Sequence, residues 1–305
     1  MKVVTAGSTY MDIDAYAGCI AEAELLNLTG EQAYAASSAT LNESIPASIR
    51  ALGLGLREYV PSGDDEFILV DVSKEEFFDP IVRNGTVVEV IDHHPGQEQY
   101  WLDKIGTKAD IEFIGAACTQ IFERWEANDK LDDMKPEIAA MLAAGILDNT
   151  LNFNAAVTTD RDRRAYQVLS ETGTLPADFA AQYFNECQQA IEQNFAQAIR
   201  NDVKEMKEVP RLPRTLGQLT VWDAKVFAQE RRGEIAAIID PIDTEWALNL
   251  ISIIDGRSYI ISNNTVGQKK MASLLGIEFQ GSIAVTDRLW LRKELLKLAL
   301  ETSES

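Results

Sequence analysis

Histidine is almost missing from this chain: there are two in 305 residues, His93 and His94, side by side. Any chemistry that needs imidazole must use this pair. A site that draws histidines from distant segments is excluded. Cysteine is scarce as well. Cys19, Cys118 and Cys187 are odd in number and widely spaced, so they define neither a disulfide framework nor a zinc site. They read as core thiols. Long apolar runs are absent. The longest, Ile138–Leu147, has ten residues and is too short to span a bilayer. Met1–Gly7 holds too short an apolar run for a signal peptide, so the expected location is cytoplasmic, with no membrane partner. Basic residues are also few: 28 Lys and Arg face 48 Asp and Glu, a formal net charge of −20. A polyanion gains affinity by releasing counterions from Lys and Arg contacts. This chain as a whole repels such a partner, so no nucleic acid is expected. A small phosphate compound stays admissible where metal ions or a local basic cluster offset the carboxylates.

What is present is an ordinary globular composition, 46% hydrophobic and 25% charged, long enough for one large or two medium domains. Lys2–Ala6, Phe67–Val70 and Val87–Ile91 are short apolar, β-branched runs. Between and after them, Tyr16–Leu26 and Ile114–Glu126 have helical patterns. Ile138–Leu147 reads as a buried helix or a helix leading into a strand. Fully apolar strands alternating with helices predict a parallel sheet covered on both faces. Ala177–Met206 is a long helical pattern. Past Pro210 and Pro213 the pattern changes, and Leu219–Trp222, Ile235–Ile239, Leu248–Ile254 and Ser258–Ser262 look like strands. A terminal helix is expected over Arg288–Glu301. The fold class is therefore α/β: a doubly wound parallel sheet in residues 1–190, a helical linker over 191–204, and a smaller α/β domain with a mixed sheet in 205–305.

Open parallel sheets bind their ligands at the carboxyl ends of strands. Three such ends carry polar residues here: Gly7-Ser8 with Asp12 and Asp14, then Asp71, then Asp92-His93-His94. A single acid after a strand is usually a turn or a cap. Asp12-x-Asp14 alone is as readily a solvated loop, and His93-His94 alone as readily one packed and one surface histidine. Three ends in succession favour a shared site. Imidazole and carboxylate together suit Mn2+, while carboxylates alone suit Mg2+. Asp12 and Asp14 could reach a metal from an irregular loop. Two metals bridged by shared carboxylates can clamp a phosphate and generate hydroxide from water.

These segments resemble the DHH superfamily of phosphoesterases. Gly7-Ser8-Thr9-Tyr10-Met11-Asp12-Ile13-Asp14 resembles its first motif, Leu69-Val70-Asp71 its second, and Val90-Ile91-Asp92-His93-His94-Pro95 the motif that names it. Gly145-Ile146-Leu147-Asp148-Asn149-Thr150-Leu151-Asn152-Phe153 resembles the fourth, and Ile114–Thr119 the glycine- and threonine-containing helix start after the histidines. The branch with a C-terminal histidine-bearing glycine loop is excluded, because both histidines are spent. The branch of manganese-dependent inorganic pyrophosphatases and exopolyphosphatase/prune proteins remains. Lys204, within Asn201–Glu205, and Arg292-Lys293 resemble that branch's phosphate-binding cations, although an exposed helix face would explain the latter pair equally well.

The resemblance implies a hydrolase of phosphoanhydride bonds in pyrophosphate or short polyphosphate. One or two Mn2+ (or Mg2+) ions would be held by Asp12, Asp14, Asp71, His93 and Asp148, with Asn149 the second choice in the fourth motif. Asp92 or a ligating carboxylate would accept the proton of the attacking water. His94 would contact the electrophilic phosphate or protonate the leaving oxygen. Lys204, Arg292, Lys293 and Ser8 would bind the phosphates as the domains close. The substrate is a small phosphate compound, and a homodimer is left open. Departures are visible. Ser8 stands where the pyrophosphatases hold a histidine, Asn149 where the family holds an aspartate, Met11 for a proline and Leu291 for a serine. They keep two other readings in play: a non-catalytic regulatory protein on the same fold, and a phosphodiesterase for cyclic nucleotides or short oligonucleotides, with Trp222, Trp246 and Trp290 as stacking candidates.

Overall fold

The computed structural model describes residues 1–8 and 10–301, the side chain of Glu301 excepted; Thr9 of the first motif lies outside the described residues. The elements run β1 (Lys2–Thr5), α1 (Ile13–Leu28), β2 (Ala33–Ala35), α2 (Ala47–Arg50), β3 (Asp65–Val70), β4 (Gly85–Asp92), α3 (Glu98–Ile105), β5 (Ala109–Ile111), α4 (Ala117–Ala127), α5 (Pro136–Asn149), α6 (Asp160–Thr172) and α7 (Phe179–Gln193). They continue with α8 (Phe195–Asp202), β6 (Lys204–Glu205), β7 (Thr215–Val221), α9 (Ala224–Ile239), β8 (Trp246–Ser252), β9 (Arg257–Ile261), α10 (Thr265–Leu275), β10 (Ile283–Val285) and α11 (Arg292–Glu301). Two compact units divide between Tyr183 and Phe184, inside α7.

In the first unit a five-stranded sheet has the order β2-β1-β3-β4-β5, parallel throughout. Its strands read as unbroken apolar runs because both faces are covered. Val3, Phe67, Leu69 and Val90 pack with Trp101 of α3 on one face. On the other, Val70 and Ile121 of α4 close on Gly18 of α1. Each such buried aliphatic or aromatic side chain contributes about 1.5–3 kcal/mol. The order reverses between β1 and β3, and the carboxyl ends flanking such a reversal are where open sheets place their ligands.

Ile138–Leu147 is helical throughout and leads into no strand; α5 starts with Pro136 at its first turn and buries every residue of that run. Gly145 lets three elements meet there. A Cβ on it would lie 2.5 Å from Cys118 Sγ and 3.3 Å from the Asp14 Cα. All three cysteines are buried and free, as core thiols should be.

In the second unit the sheet order is β10-β9-β8-β7-β6, with only β7 and β8 parallel. One face packs on α8 and α9 through Val221, Leu248, Leu250 and Ile261. The other packs on α10 and α11 through Leu216, Ala247, Ile260, Met271 and Leu295. Ile235–Ile239 is the end of α9, not a strand. It buries Ile235, Ile238 and Ile239 at i, i+3 and i+4, and a five-residue apolar run does not distinguish the two conformations. The long pattern over 177–206 splits at Asn194, a residue type less favourable in helix interiors, and ends in β6. The terminal helix starts at Arg292 rather than Arg288. No helix among the described residues is long and apolar enough to cross a membrane.

Candidate metal centre

Four segments converge at the carboxyl edge of the parallel sheet. Asp12 and Asp14 are not on an irregular loop. Asp12 is the N-cap of α1, its Oδ1 accepting from Ala15 N at 3.1 Å, and Asp14 sits in the first turn. Asp14 is fully buried. Its Oδ1 accepts from Cys118 N at 2.7 Å and its Oδ2 from Ala117 N at 2.8 Å. One carboxylate thus caps the N-terminus of α4, where unsatisfied N–H groups and the helix dipole favour negative charge. Asp71 follows β3 with φ 60°. A left-handed non-glycine residue costs about 1–2 kcal/mol, and such strain gathers at functional sites.

The Asp92-His93-His94 triplet ends β4. Asp92 Oδ1 accepts from His93 N at 2.8 Å and His94 N at 3.2 Å, and lies 2.9 Å from His94 Nδ1. His93 Nδ1 lies 3.1 Å from Ile114 O. A carbonyl only accepts, so Nδ1 carries a proton, and Nε2 is the nitrogen left to offer a lone pair once it gives up its own proton. That Nε2 lies 3.1 Å from Asp71 Oδ1 and 3.8 Å from Asp14 Oδ2. Both His93 Nε2 and Asp71 Oδ1 are buried without a hydrogen-bond partner. Ligand atoms of Asp71, His93 and His94 all lie within 4.8 Å of one another. His94 itself is largely exposed, its Nδ1 turned to Asp92.

Electrostatics agree with the geometry. Asp12 is pushed well above the usual carboxylate range by burial and by the charges of Asp71 and Asp14. Asp14 is raised by burial and Asp71, and Asp148 is raised to about 7, mainly by burial. Burial disfavours a charged His93, but the carboxylates of Asp71, 3.1 Å from Nε2, and of Asp14 outweigh it and push the imidazole up to about 10. For Asp92, burial alone would raise the carboxyl; His94 reverses this and holds it low. A cluster of carboxylates that resists ionising beside an imidazole that holds its proton lacks positive charge. A divalent cation would supply it, with the orphaned Nε2 and Oδ1 as donors. The residues fit a Mn2+ or Mg2+ ion.

Asp148 and Asn149 end α5. Asp148 Oδ1 accepts from Tyr183 Oη at 3.0 Å, and its charge is felt at Asp12. Asn149 Nδ2 is buried without a partner. The chain then passes through three consecutive left-handed residues, Leu151, Asn152 and Phe153, at φ 50°, 53° and 64°. Ser8 follows β1, its N–H donating to Phe77 O at 2.8 Å. Lys204, Arg292 and Lys293 belong to the second unit. Arg292 Nη1 donates to Asp202 O and Nη2 to Asp202 Oδ1, both at 2.6 Å, which places it beside the segment leading into Lys204. Trp246 is core, its indole donating to Asp240. Trp222 stacks on Phe184 and Trp290 lies against Arg288.

Sequence reasoning missed the residue that holds the site's floor. Asp162 is fully buried and accepts from Thr119 Oγ1 (2.6 Å), Gly115 N (3.2 Å), Thr159 N (2.7 Å) and Thr159 Oγ1 (2.8 Å). It fixes the 114–118 loop, whose Ile114 carbonyl holds His93 and whose last two N–H groups hold Asp14. The loop needs Gly115, where a Cβ would meet Asp162 Oδ2 at 2.6 Å. A signal existed: Thr159-x-x-Asp162 is the capping box of α6.

Residues 2–146 match the DHH family, N-terminal domain. A probable manganese-dependent inorganic pyrophosphatase of Shouchella clausii is 26% identical over 245 residues, 79% of this chain and 71% of that protein. A probable manganese-dependent inorganic pyrophosphatase of Bacillus mycoides is 24% identical over 276 residues, 87% and 85% of the two chains. The manganese-dependent inorganic pyrophosphatase of Methanocaldococcus jannaschii is 29% identical over 174 residues, 52% of each. Among solved structures, a candidate family II inorganic pyrophosphatase of Methanococcus jannaschii superposes with a TM-score of 0.68 at 19% identity, covering 98% of this chain and 100% of its own. An exopolyphosphatase-related protein of Bacteroides fragilis gives 0.54 at 12%, covering 99% and 92%. These structural likenesses carry the fold. The match to the DHH family, N-terminal domain, takes in the Asp92-His93-His94 triplet and the Asp12, Asp14 and Asp71 positions around it.

Proposed function

We propose that the protein is a divalent-metal-dependent hydrolase of phosphoanhydride bonds, acting on pyrophosphate or short polyphosphate. One observation carries the reading: His93 Nε2 and Asp71 Oδ1, both buried and without hydrogen-bond partners, lie 3.1 Å apart, and the other histidine nitrogen is committed to Ile114 O. Asp12, Asp14, Asp71, His93 and Asp148 would hold one or two Mn2+ ions. Bound there, such ions lower the pKa of a coordinated water and offset the charge of phosphate oxygens. Asp14 keeps its place through two backbone N–H groups, so it is pre-set rather than recruited. Asp92 positions His94 through its Oδ1, which leaves His94 Nε2 as the nitrogen that can meet a substrate oxygen. Lys204, Arg292 and Lys293 are proposed as the phosphate-binding cations, needed because the net charge of −20 otherwise opposes the substrate. The relatives named as manganese-dependent pyrophosphatases support the choice of metal and substrate class.

The test is release of orthophosphate from pyrophosphate and tripolyphosphate in Mn2+, with His93→Gln as the control. The proposal expects turnover in the wild type and loss of at least a hundredfold in the variant. Folded protein that releases nothing under Mn2+ or Mg2+ overturns it.

A further inference from the structure

Asp148 and Asn149 are adjacent at the end of α5, and consecutive helical residues point about 100° apart. One point in space cannot be served by both, so something must select between them. Tyr183 is the group in place to do so. It is 2% exposed, and its hydroxyl lies 3.0 Å from Asp148 Oδ1 and 2.9 Å from Ser44 O. Ser44 in turn is tied to the first motif: its Oγ accepts from Ile13 N at 2.9 Å, and Asn42 N donates to Met11 O at 3.0 Å. Residues 11 and 13 bracket Asp12. The one O–H proton of Tyr183 is shared between these two acceptors, so a single phenol joins the fourth-motif carboxylate to the loop that fixes the first-motif carboxylates, across 35 residues in one direction and 139 in the other.

We propose that Tyr183 is a positioning residue of the metal centre, whose hydroxyl fixes the Asp148 carboxylate relative to Asp12 and so makes Asp148, not Asn149, the fourth-motif ligand. A last-turn aspartate has open rotamers, and the turn it leads into is already strained by three left-handed residues. Committing one oxygen to a buried hydroxyl removes that freedom. Partners of this kind, one bond removed from the ion, change metal affinity by about 10–100-fold when deleted. At Asn149, by contrast, the side-chain Nδ2 is buried and unpartnered. The inference rests on the metal-centre reading above.

The experiment is equilibrium Mn2+ binding to the full chain, read from the EPR signal of free Mn2+, for wild type, Tyr183→Phe, Asp148→Ala, Asn149→Ala and the Tyr183→Phe/Asp148→Ala pair. Tyr183→Phe keeps the ring and should weaken binding 10–100-fold. Combined with Asp148→Ala it should add less than twofold, because it acts through that carboxylate. Asn149→Ala should bind as the wild type does. Equal binding by Tyr183→Phe and wild type overturns the inference alone, as does a Tyr183→Phe effect of full size without Asp148, or Asn149→Ala losing more than Asp148→Ala. A wild type that takes up no Mn2+ overturns the metal-centre reading and this inference with it.

Discussion

Replacing Asp162 separates the support of the site from the site itself. Asp162→Ala strips the acceptor from two backbone N–H groups, that of buried Gly115 and that of half-buried Thr159, and from two hydroxyls. Each such N–H left without a partner costs about 1–3 kcal/mol, and the N-cap residue itself, Thr159, stays in place. The sum is about 2–6 kcal/mol, a large share of the roughly 5–15 kcal/mol that holds a domain folded. At about 2–4 °C per kcal/mol for a domain of this size, the midpoint should fall by on the order of 10 °C. Asp162→Asn behaves differently. Its carbonyl can take the place of Oδ2, which accepts three of the four bonds, and the Thr119 hydroxyl can turn to accept from the amide. Only charge assistance is lost, about 1–2 kcal/mol. Both variants loosen the loop that carries Ile114 O and the N–H groups holding Asp14, so Mn2+ affinity should fall with stability, further in the alanine than in the asparagine. Thermal unfolding of the metal-free protein and an Mn2+ titration are the assays. A loss below about 1 kcal/mol for Asp162→Ala, or destabilisation with unchanged Mn2+ affinity, would refute the reasoning.

Other expectations concern different parts of the chain. Asp148 is raised to about 7 and His93 to about 10. In both cases the folded state binds a proton that the unfolded state has released: for the carboxyl between pH ~3.9 and 7, for the imidazole between ~6.5 and 10. The metal-free protein should therefore lose stability steadily from pH 5 to 9. Saturating Mn2+ should abolish that slope, with binding itself tightening as pH rises; a metal-free melting temperature that climbs over this range contradicts the assignment. Gly145→Ala drives a methyl against Cys118 Sγ at 2.5 Å and should cost about 1–3 kcal/mol, much of it recovered by adding Cys118→Ala; additive losses in the pair would refute that contact. Arg292→Lys keeps the charge but loses the fork that grips Asp202, so KM for pyrophosphate should rise about tenfold with Mn2+ affinity unchanged. An unaltered KM removes Arg292 from the substrate-binding set.

The parallel sheet and its polar strand ends were legible because buried strands are short, apolar and end abruptly. Asp71 and Asp92 each stop such a run, and the adjacent histidines leave no choice of imidazole. Where structure depended on longer range, the pattern failed. Ile235–Ile239 has the composition of a strand, yet it completes a helix begun eleven residues earlier under the Asp223 cap. Asp12-x-Asp14 reads as a loop because neither the cap at Ala15 nor the N–H groups of residues 117 and 118 is visible locally. The supports were harder still. Tyr183 meets Ser44 across 139 residues, and no periodicity connects them. Asp162 had a local signal in its capping box, but that signal announces a helix start and says nothing of Gly115 or His93.

The central claim is that His93 Nε2 is a metal ligand, held ready by Ile114 O and facing Asp71. Pulsed EPR of the Mn2+-loaded protein tests it most directly. The account predicts nitrogen hyperfine coupling from one directly bound imidazole, present in the wild type and absent in His93→Gln. Bound Mn2+ with oxygen ligands only, or nitrogen coupling that survives His93→Gln, would contradict it.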